Sequence, residues 1–255
     1  MDIFFLIFLV VSFGSIIGGF LIEGGSPGML VGISPIIIVL GGTLGACGVS
    51  FPKSVLFDIP RVFKVLIKDE KRDIEELIDV LKEMCIQVRR NGLLCLESQI
   101  AEEPDSVMRK GMRLLVDGAN SDVTRESLEL AVEMMSERHK EKAAFFEAAA
   151  GFCPTMGIIG TVMGLVLVLS DMSDIDSLGH KISVAFIATL YGVGTANLFF
   201  MPLASRLKAK NKEEQIYKSV IIEGLLMIQE GAAVNALEER LVSFLPDKKL
   251  VERDL

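Results

Sequence analysis

The stretch AAAGFCPTMGIIGTVMGLVLVLS, residues 148–170, decides the fold. It holds no Asp, Glu, Lys, Arg or His, and it exceeds the roughly 20 apolar residues an α-helix needs to cross a bilayer. In hydrocarbon a segment must satisfy its own backbone N–H and C=O groups, and a helix does so internally. Three further stretches read the same way: Ile3 to Ile22, about Met29 to Phe51, and Ile182 to about Ala204. The expectation is an all-α membrane protein with four transmembrane helices.

Between and beyond these spans the composition changes sharply. The chain is 51% hydrophobic and 24% charged, and the two classes are segregated rather than mixed. That segregation fits membrane spans plus a solvated part better than one globular core. Residues 1–51 read as a hairpin of two spans, and 148–204 as a second pair. Residues 52–147 read as a helical cytoplasmic domain, and 205–255 as a helical cytoplasmic tail.

The basic residues set the orientation. Of 26 Lys and Arg, 16 fall between Lys53 and Lys142, nine from Arg206 onward, and the remaining one is Lys181. Positive charge collects on the cytoplasmic side, so the long connection, the tail and both termini are expected inside the cell. The connections Glu23–Gly28 and Asp171–His180 are then the outer loops. Asp2, and a second apolar run directly after the first, argue against a cleaved secretory signal. The net charge of −8 argues against a nucleic-acid partner, which calls for a basic face.

The charged regions carry helical periodicity. Ile74, Leu77, Ile78, Leu81, Cys85 and Val88 recur every three or four residues, one face of an amphipathic helix, and Asn91-Gly92 supplies a stop. Leu128 to Lys142 reads as a charged helix leading into the third span. Lys212 to Leu245 reads as one or two helices, interrupted at Gly224 or Gly231.

An ionisable residue inside a membrane span is a functional site by default. Here the spans have none, so the chain either scaffolds or receives a titrating group from a partner. Spans three and four are rich in small residues (Gly151, Gly157, Gly160 and Gly164; Ala188, Gly192, Gly194 and Ala196), with Thr161 and Thr189 as the main interior hydroxyls. Two readings stand side by side: close helix packing, or a polar notch beside an ion route. Pro154 and Pro202 near the cytoplasmic ends are either ordinary membrane-helix prolines or hinges. Cys47, Cys85, Cys95 and Cys153 lack zinc-ligand spacing, so they are expected as small apolar thiols with no metal or cofactor. His139 and His180 fall on opposite sides of the membrane. With no nucleotide loop or catalytic triad, an enzyme is not expected.

The residues also resemble a family. PTMGIIGTVMGLV at 154–166 resembles the third span of the MotA and PomA flagellar stator subunits, within the MotA/TolQ/ExbB superfamily. ATLYGVGTANL at 188–198, followed by PLA at 202–204, resembles their fourth span. RRNGLLCLE at 89–97 is similar to their rotor-facing cytoplasmic motif, and IEGL at 222–225 with IQEG at 228–231 to their tail. The resemblance covers essentially the whole chain in order.

It implies a homopentameric ring in the bacterial inner membrane around a MotB-like dimer. That dimer supplies the membrane aspartate and a peptidoglycan-binding domain. Ion flow through the assembly turns the ring against the rotor protein FliG. Position by position, Arg89, Arg90 and Glu97 are implied as the rotor interface, and Thr161 and Thr189 as the ion-route lining. Pro154 and Pro202 are implied as coupling prolines. Sodium-driven relatives carry Thr at the position of Thr161 and proton-driven ones a small apolar residue; protons are expected, with sodium as the alternative. Other readings are an ExbB- or TolQ-like energiser of an outer-membrane system, which typically has three spans, or a non-conducting membrane scaffold.

Overall fold

A computed structural model describes residues 3–67, 72–170 and 175–245, and these residues are helices joined by short turns. Four helices are long and apolar enough to cross a membrane. The first is Ile3–Ile22, which buries none of its side chains within the chain, as a helix surrounded by lipid would. Gly24, at φ +85°, then reverses the chain.

The second span starts later than the apolar run suggests. Residues Pro27–Leu30 form a tight single turn, Gly32 is extended, and the membrane helix proper is Ile33–Ser50. Its 18 residues reach roughly 27 Å, enough for the hydrocarbon layer. Pro35 falls in its first turn, where a missing N–H costs no intrahelical bond. A wider π turn, Ile37–Gly41, follows.

The third span is the end of a single 50-residue helix, Ser121–Ser170, which includes the charged segment expected before it. Of the expected outer loop Asp171–His180, residues 171–174 lie outside the described residues. The remainder is already helical, within Ile175–Thr195. A π turn at Ala196–Phe200 leads into Met201–Gln229. Gly224 lies inside that helix, where a Cβ would come within 2.6 Å of Leu81. Gly231, at φ +72°, lies just beyond the helix end. Of the two candidate interruptions, only the second is one. The expected tail is helical as far as Val242, and its last residues, 246–255, lie outside the described residues.

The chain divides into two compact units, residues 1–69 with 139–209 and residues 70–138 with 210–255. Two of the boundaries, after residues 138 and 209, fall inside the helices Ser121–Ser170 and Met201–Gln229.

The first unit holds the apolar spans and the helix Lys53–Ile67. Its core joins Val39, Cys47, Leu66, Phe146, Cys153 and Leu203, with Phe63 edge-on to Phe146 at 5.8 Å. Asp58 on Lys53–Ile67 meets Lys142 at 3.1 Å. That hydrogen bond and charge, with help from Arg61, hold the Asp58 carboxyl below its usual range.

The second unit packs Ile74–Asn91, Ser106–Val116 and Val234–Val242 around Leu81, Met112, Leu128, Ile221 and Leu225. Its helices start on side-chain caps. Asp73 accepts from Glu75 N–H, and Asp105 from the N–H groups of Val107 and Met108. Buried Ser136 accepts from Asn211 (2.9 Å) and Gln215 (2.5 Å), so the polar groups enclosed there are satisfied.

Candidate functional site

Spans three and four touch along a ladder of small residues. A Cβ on Gly157 would lie 2.8 Å from the Ala188 carbonyl oxygen, and one on Gly192 would lie 2.7 Å from the Cys153 oxygen. At that level backbone packs on backbone, which only glycine permits. One turn outward, Gly160 faces the Ala188 methyl, and Gly164 faces Ala185. Of the glycines flagged from sequence, Gly157, Gly160, Gly164 and Gly192 therefore belong to helix packing, whereas Gly151 and Gly194 face no neighbour within 4 Å.

That packing also creates a polar site. Close approach brings Thr161 and Thr189 together, their hydroxyl oxygens 2.5 Å apart and half-buried. Thr161 Oγ1 also lies 3.0 Å from the Ala185 carbonyl on the fourth span and 3.1 Å from the Gly157 carbonyl on its own. A threonine hydroxyl has one proton to give. Thr189 can donate to Thr161, which then donates to one of the two carbonyls. The two expected site residues thus sit in one cluster that joins the helices. No carboxylate, amine or imidazole lies on the described apolar spans near it, so the cluster can orient and solvate a passing ion or proton but cannot titrate.

The two prolines occupy different settings. Pro154 lies at the tightest point of the ladder, its Cα 3.2 Å from where a Gly192 Cβ would be, inside a helix that continues through it. Pro202 lies just after the π turn Ala196–Phe200. A wider turn there accommodates the proline ring and the missing N–H without breaking the helix. Sequence periodicity gives no warning of this turn, because a π turn differs from an α turn by one residue in a stretch without charge to mark the phase.

Tyr191 has a structural part in this half that its sequence context does not announce. Its hydroxyl donates to the Leu30 carbonyl and accepts from Gly32 N–H at 3.3 Å. It thereby satisfies the irregular backbone that precedes the second span, where water is scarce.

The second unit carries the charged candidates. Arg89 and Arg90 are exposed in the last turn of Ile74–Asn91, and Glu97 is exposed at the start of the short helix Glu97–Ile100. Between them Gly92, at φ +80°, redirects the chain. Leu93–Leu96 then forms a tight turn that buries Leu96. The amide of Gln99 donates to Gln87 at 2.8 Å, pinning the Glu97 segment back onto the helix that ends in Arg89 and Arg90. Arg89 also holds structure in place. Its guanidinium donates to the Ala232 carbonyl at 3.1 Å, at the turn before Val234–Val242. Leu94, between the opposite charges, is 69% exposed.

A buried ion pair supports the same unit. Lys218 donates to Asp105, the residue that caps Ser106–Val116. Burial, then the charges of Asp105 and Glu103, push the neighbouring Tyr217 phenol above its ordinary pKa. Among the described residues no cluster of His, Cys, Asp and Glu is arranged to hold a metal.

Known proteins match the chain over almost its whole length. Residues 99–219 match the MotA/TolQ/ExbB proton channel family, and residues 6–92 match the motility protein A N-terminal family. Motility protein A of Bacillus subtilis strain 168 is 38% identical over 97% of this chain and 92% of its own length. The structure of the flagellar MotAB stator complex from Bacillus subtilis superposes with a TM-score of 0.91 at 37% identity, covering 97% of this chain and 98% of the other. The structure of C. jejuni MotAB gives a TM-score of 0.92 at 33% identity, covering 97% of each chain.

Proposed function

The chain belongs to the MotA/TolQ/ExbB proton channel family and is a flagellar motor stator subunit, and from that premise we propose that five copies ring the membrane helices of a MotB-like dimer in the bacterial inner membrane. Residues 1–51 and 148–204 lie in the bilayer, while 52–147, 205–255 and both termini face the cytoplasm. The partner's aspartate takes up and releases the transported proton beside Thr161 and Thr189. Each transfer changes how the ring packs on the central dimer, and the ring turns.

The carrying observation is a mismatch between what the spans contain and what ion transport requires. The apolar segments 3–22, 33–50, 148–170 and 182–204 hold no acid or base, yet two of them bring a hydroxyl pair together one helical turn from their closest backbone approach. That is the lining of a route whose titrating group comes from elsewhere. The match of residues 6–92 to the motility protein A N-terminal family favours the flagellar branch over an ExbB- or TolQ-like energiser.

Work leaves through the second unit. Arg90, Glu97 and the exposed edge of Arg89 engage the rotor protein FliG, and Pro154 and Pro202 let the long helices adjust between ion steps. The driving force is adequate, since one charge crossing 100 mV releases roughly 2.3 kcal/mol, enough to rearrange a few helix contacts.

Complementation provides the test. This chain is co-expressed with its MotB-like partner in a strain that lacks stator genes. Swimming should return, persist without sodium and stop on addition of a protonophore. A strict sodium requirement would contradict proton coupling. Failure to restore swimming in any host, with both proteins in the membrane, would contradict the stator role.

A further inference from the structure

The hydroxyl pair is one link in a closed circuit of contacts through three helices. Thr161 Oγ1 meets Thr189 Oγ1 between the third and fourth spans. Just beyond Thr189, Tyr191 donates its hydroxyl to the Leu30 carbonyl and accepts from Gly32 N–H at 3.3 Å. Those two groups lie at the start of the second span. Farther along that span, Ile38 Cγ2 lies 3.4 Å from where a Cβ on Gly160 would be. Gly160 immediately precedes Thr161, and the circuit closes.

We propose that Tyr191 is a positioning residue for the ion step. By tying the fourth span to the start of the second, it fixes the height and rotation at which Thr189 meets Thr161. This rests on the reading that the hydroxyl pair lines the ion route.

Helix geometry supports the assignment. Residues two apart on an α-helix point roughly 200° apart around its axis. Thr189 and Tyr191 therefore grip opposite sides of the fourth span, one on the third span and one on the second. A rotation of the fourth span disturbs both grips together.

The rest of the contact leaves this freedom open. Gly157 and Gly192 bring backbone against backbone, which fixes how near the helices lie. Such smooth contact resists sliding and turning weakly, whereas hydrogen bonds are directional. The tyrosine supplies direction where the glycine ladder supplies closeness.

The anchor itself is firm. A Cβ on Gly32 would lie 3.1 Å from the Pro35 ring and 3.8 Å from Ile187, so this turn sits close against the fourth span near the level of Thr189. Pro35 is buried. Leu30 ends a single tight turn and Gly32 is extended, so the tyrosine bonds to backbone outside regular helix, where polar groups are costly to leave unmet.

The experiment uses the complex with its MotB-like partner, in which Tyr191→Phe keeps the ring and removes the hydroxyl. Proton flux into vesicles should fall about threefold or more, the scale of one lost interhelical hydrogen bond, with the amount of assembled complex near wild type. The deciding readout is the coupling between Thr161→Val and Thr189→Val in a double-mutant cycle. In the Tyr191→Phe background it should drop to about half or less. A tyrosine that only satisfied backbone groups would lower the stability of every protein in the cycle alike and leave the coupling unmoved. Gly32→Ala is the second variant. Its methyl crowds Pro35 and shifts the anchor while Tyr191 stays, so the same loss of coupling is expected, and this variant decides the question if Tyr191→Phe does not assemble. Unchanged coupling in the variants that assemble overturns the proposal. Undiminished flux through Tyr191→Phe, beside a conducting wild-type complex, overturns this inference alone and leaves the stator role standing.

Discussion

The hydroxyl oxygens of Thr161 and Thr189 lie 2.5 Å apart across the contact of the third and fourth spans. Twenty-eight residues separate them in sequence, and their meeting depends on glycines one helical turn to either side of Thr161. Two roles follow from one geometry. The pair joins the two helices, and it presents hydroxyl groups within a stretch free of charged residues. The first role is measurable by a double-mutant cycle with Thr161→Val and Thr189→Val in detergent-solubilised complex. The coupling energy should fall at about 0.6–1.7 kcal/mol, the range of interhelical hydrogen bonds in membranes. The second role predicts that either single variant slows swimming more than it reduces the amount of assembled complex.

Glycine positions on one helix should differ sharply in tolerance. Gly192→Ala drives a methyl to within 2.7 Å of the Cys153 carbonyl, a backbone atom that cannot step aside. Gly194→Ala, two residues on, meets nothing within 4 Å. The first should abolish motility and reduce assembly, and the second should leave both near wild type. The same contrast is expected between Gly157→Ala and Gly151→Ala. Swimming speed and membrane abundance, measured side by side, check it.

The charged tip separates torque from stability. Arg90→Glu and Glu97→Lys alter exposed side chains, so membrane insertion and melting temperature should stay within the small range of surface substitutions. Rotation under low stator number should fall. Arg89→Ala should reduce rotation and also cost about 1 kcal/mol, because the Ala232 carbonyl loses its donor. Unchanged speed in Arg90→Glu and Glu97→Lys would remove both residues from the rotor interface.

Asp105 ties together the second unit. It caps Ser106–Val116 and partners Lys218, whose side chain is 8% exposed. Asp105→Ala removes the cap and leaves a buried charge alone. The combined loss should reach about 3–5 kcal/mol. Lys218→Met removes the buried charge instead and should be milder. Limited proteolysis of the full complex, read as protection of residues 70–138, ranks the two.

Much of the fold was legible because membrane crossing leaves a coarse signal. Charge-free runs located all four spans, and the first agreed with the helix Ile3–Ile22 to the residue. What escaped was local geometry. Nothing in the apolar run from Met29 announced that the helix would wait until Ile33, since the backbone before it is rescued by a tyrosine far along the chain. The two π turns lie in stretches without charged residues to mark their phase. Thr161 and Thr189 could be singled out as hydroxyls, but their contact is a property of the glycine ladder. Nothing in the sequence pairs Lys218 with Asp105, 113 residues away; only the fold brings them together. Gly224 and Gly231 looked alike in sequence. The first needs space and the second needs a positive φ.

At the centre of the proposed mechanism stands a division of roles: this chain would supply an apolar, hydroxyl-lined bearing, and its partner the proton-binding group. Proton flux into vesicles tests it most directly. Uptake is predicted for the reconstituted complex, and none for this chain alone or for a complex whose partner carries Asn in place of its membrane aspartate. Flux through this chain alone, or undiminished flux with the Asn partner, would contradict that division.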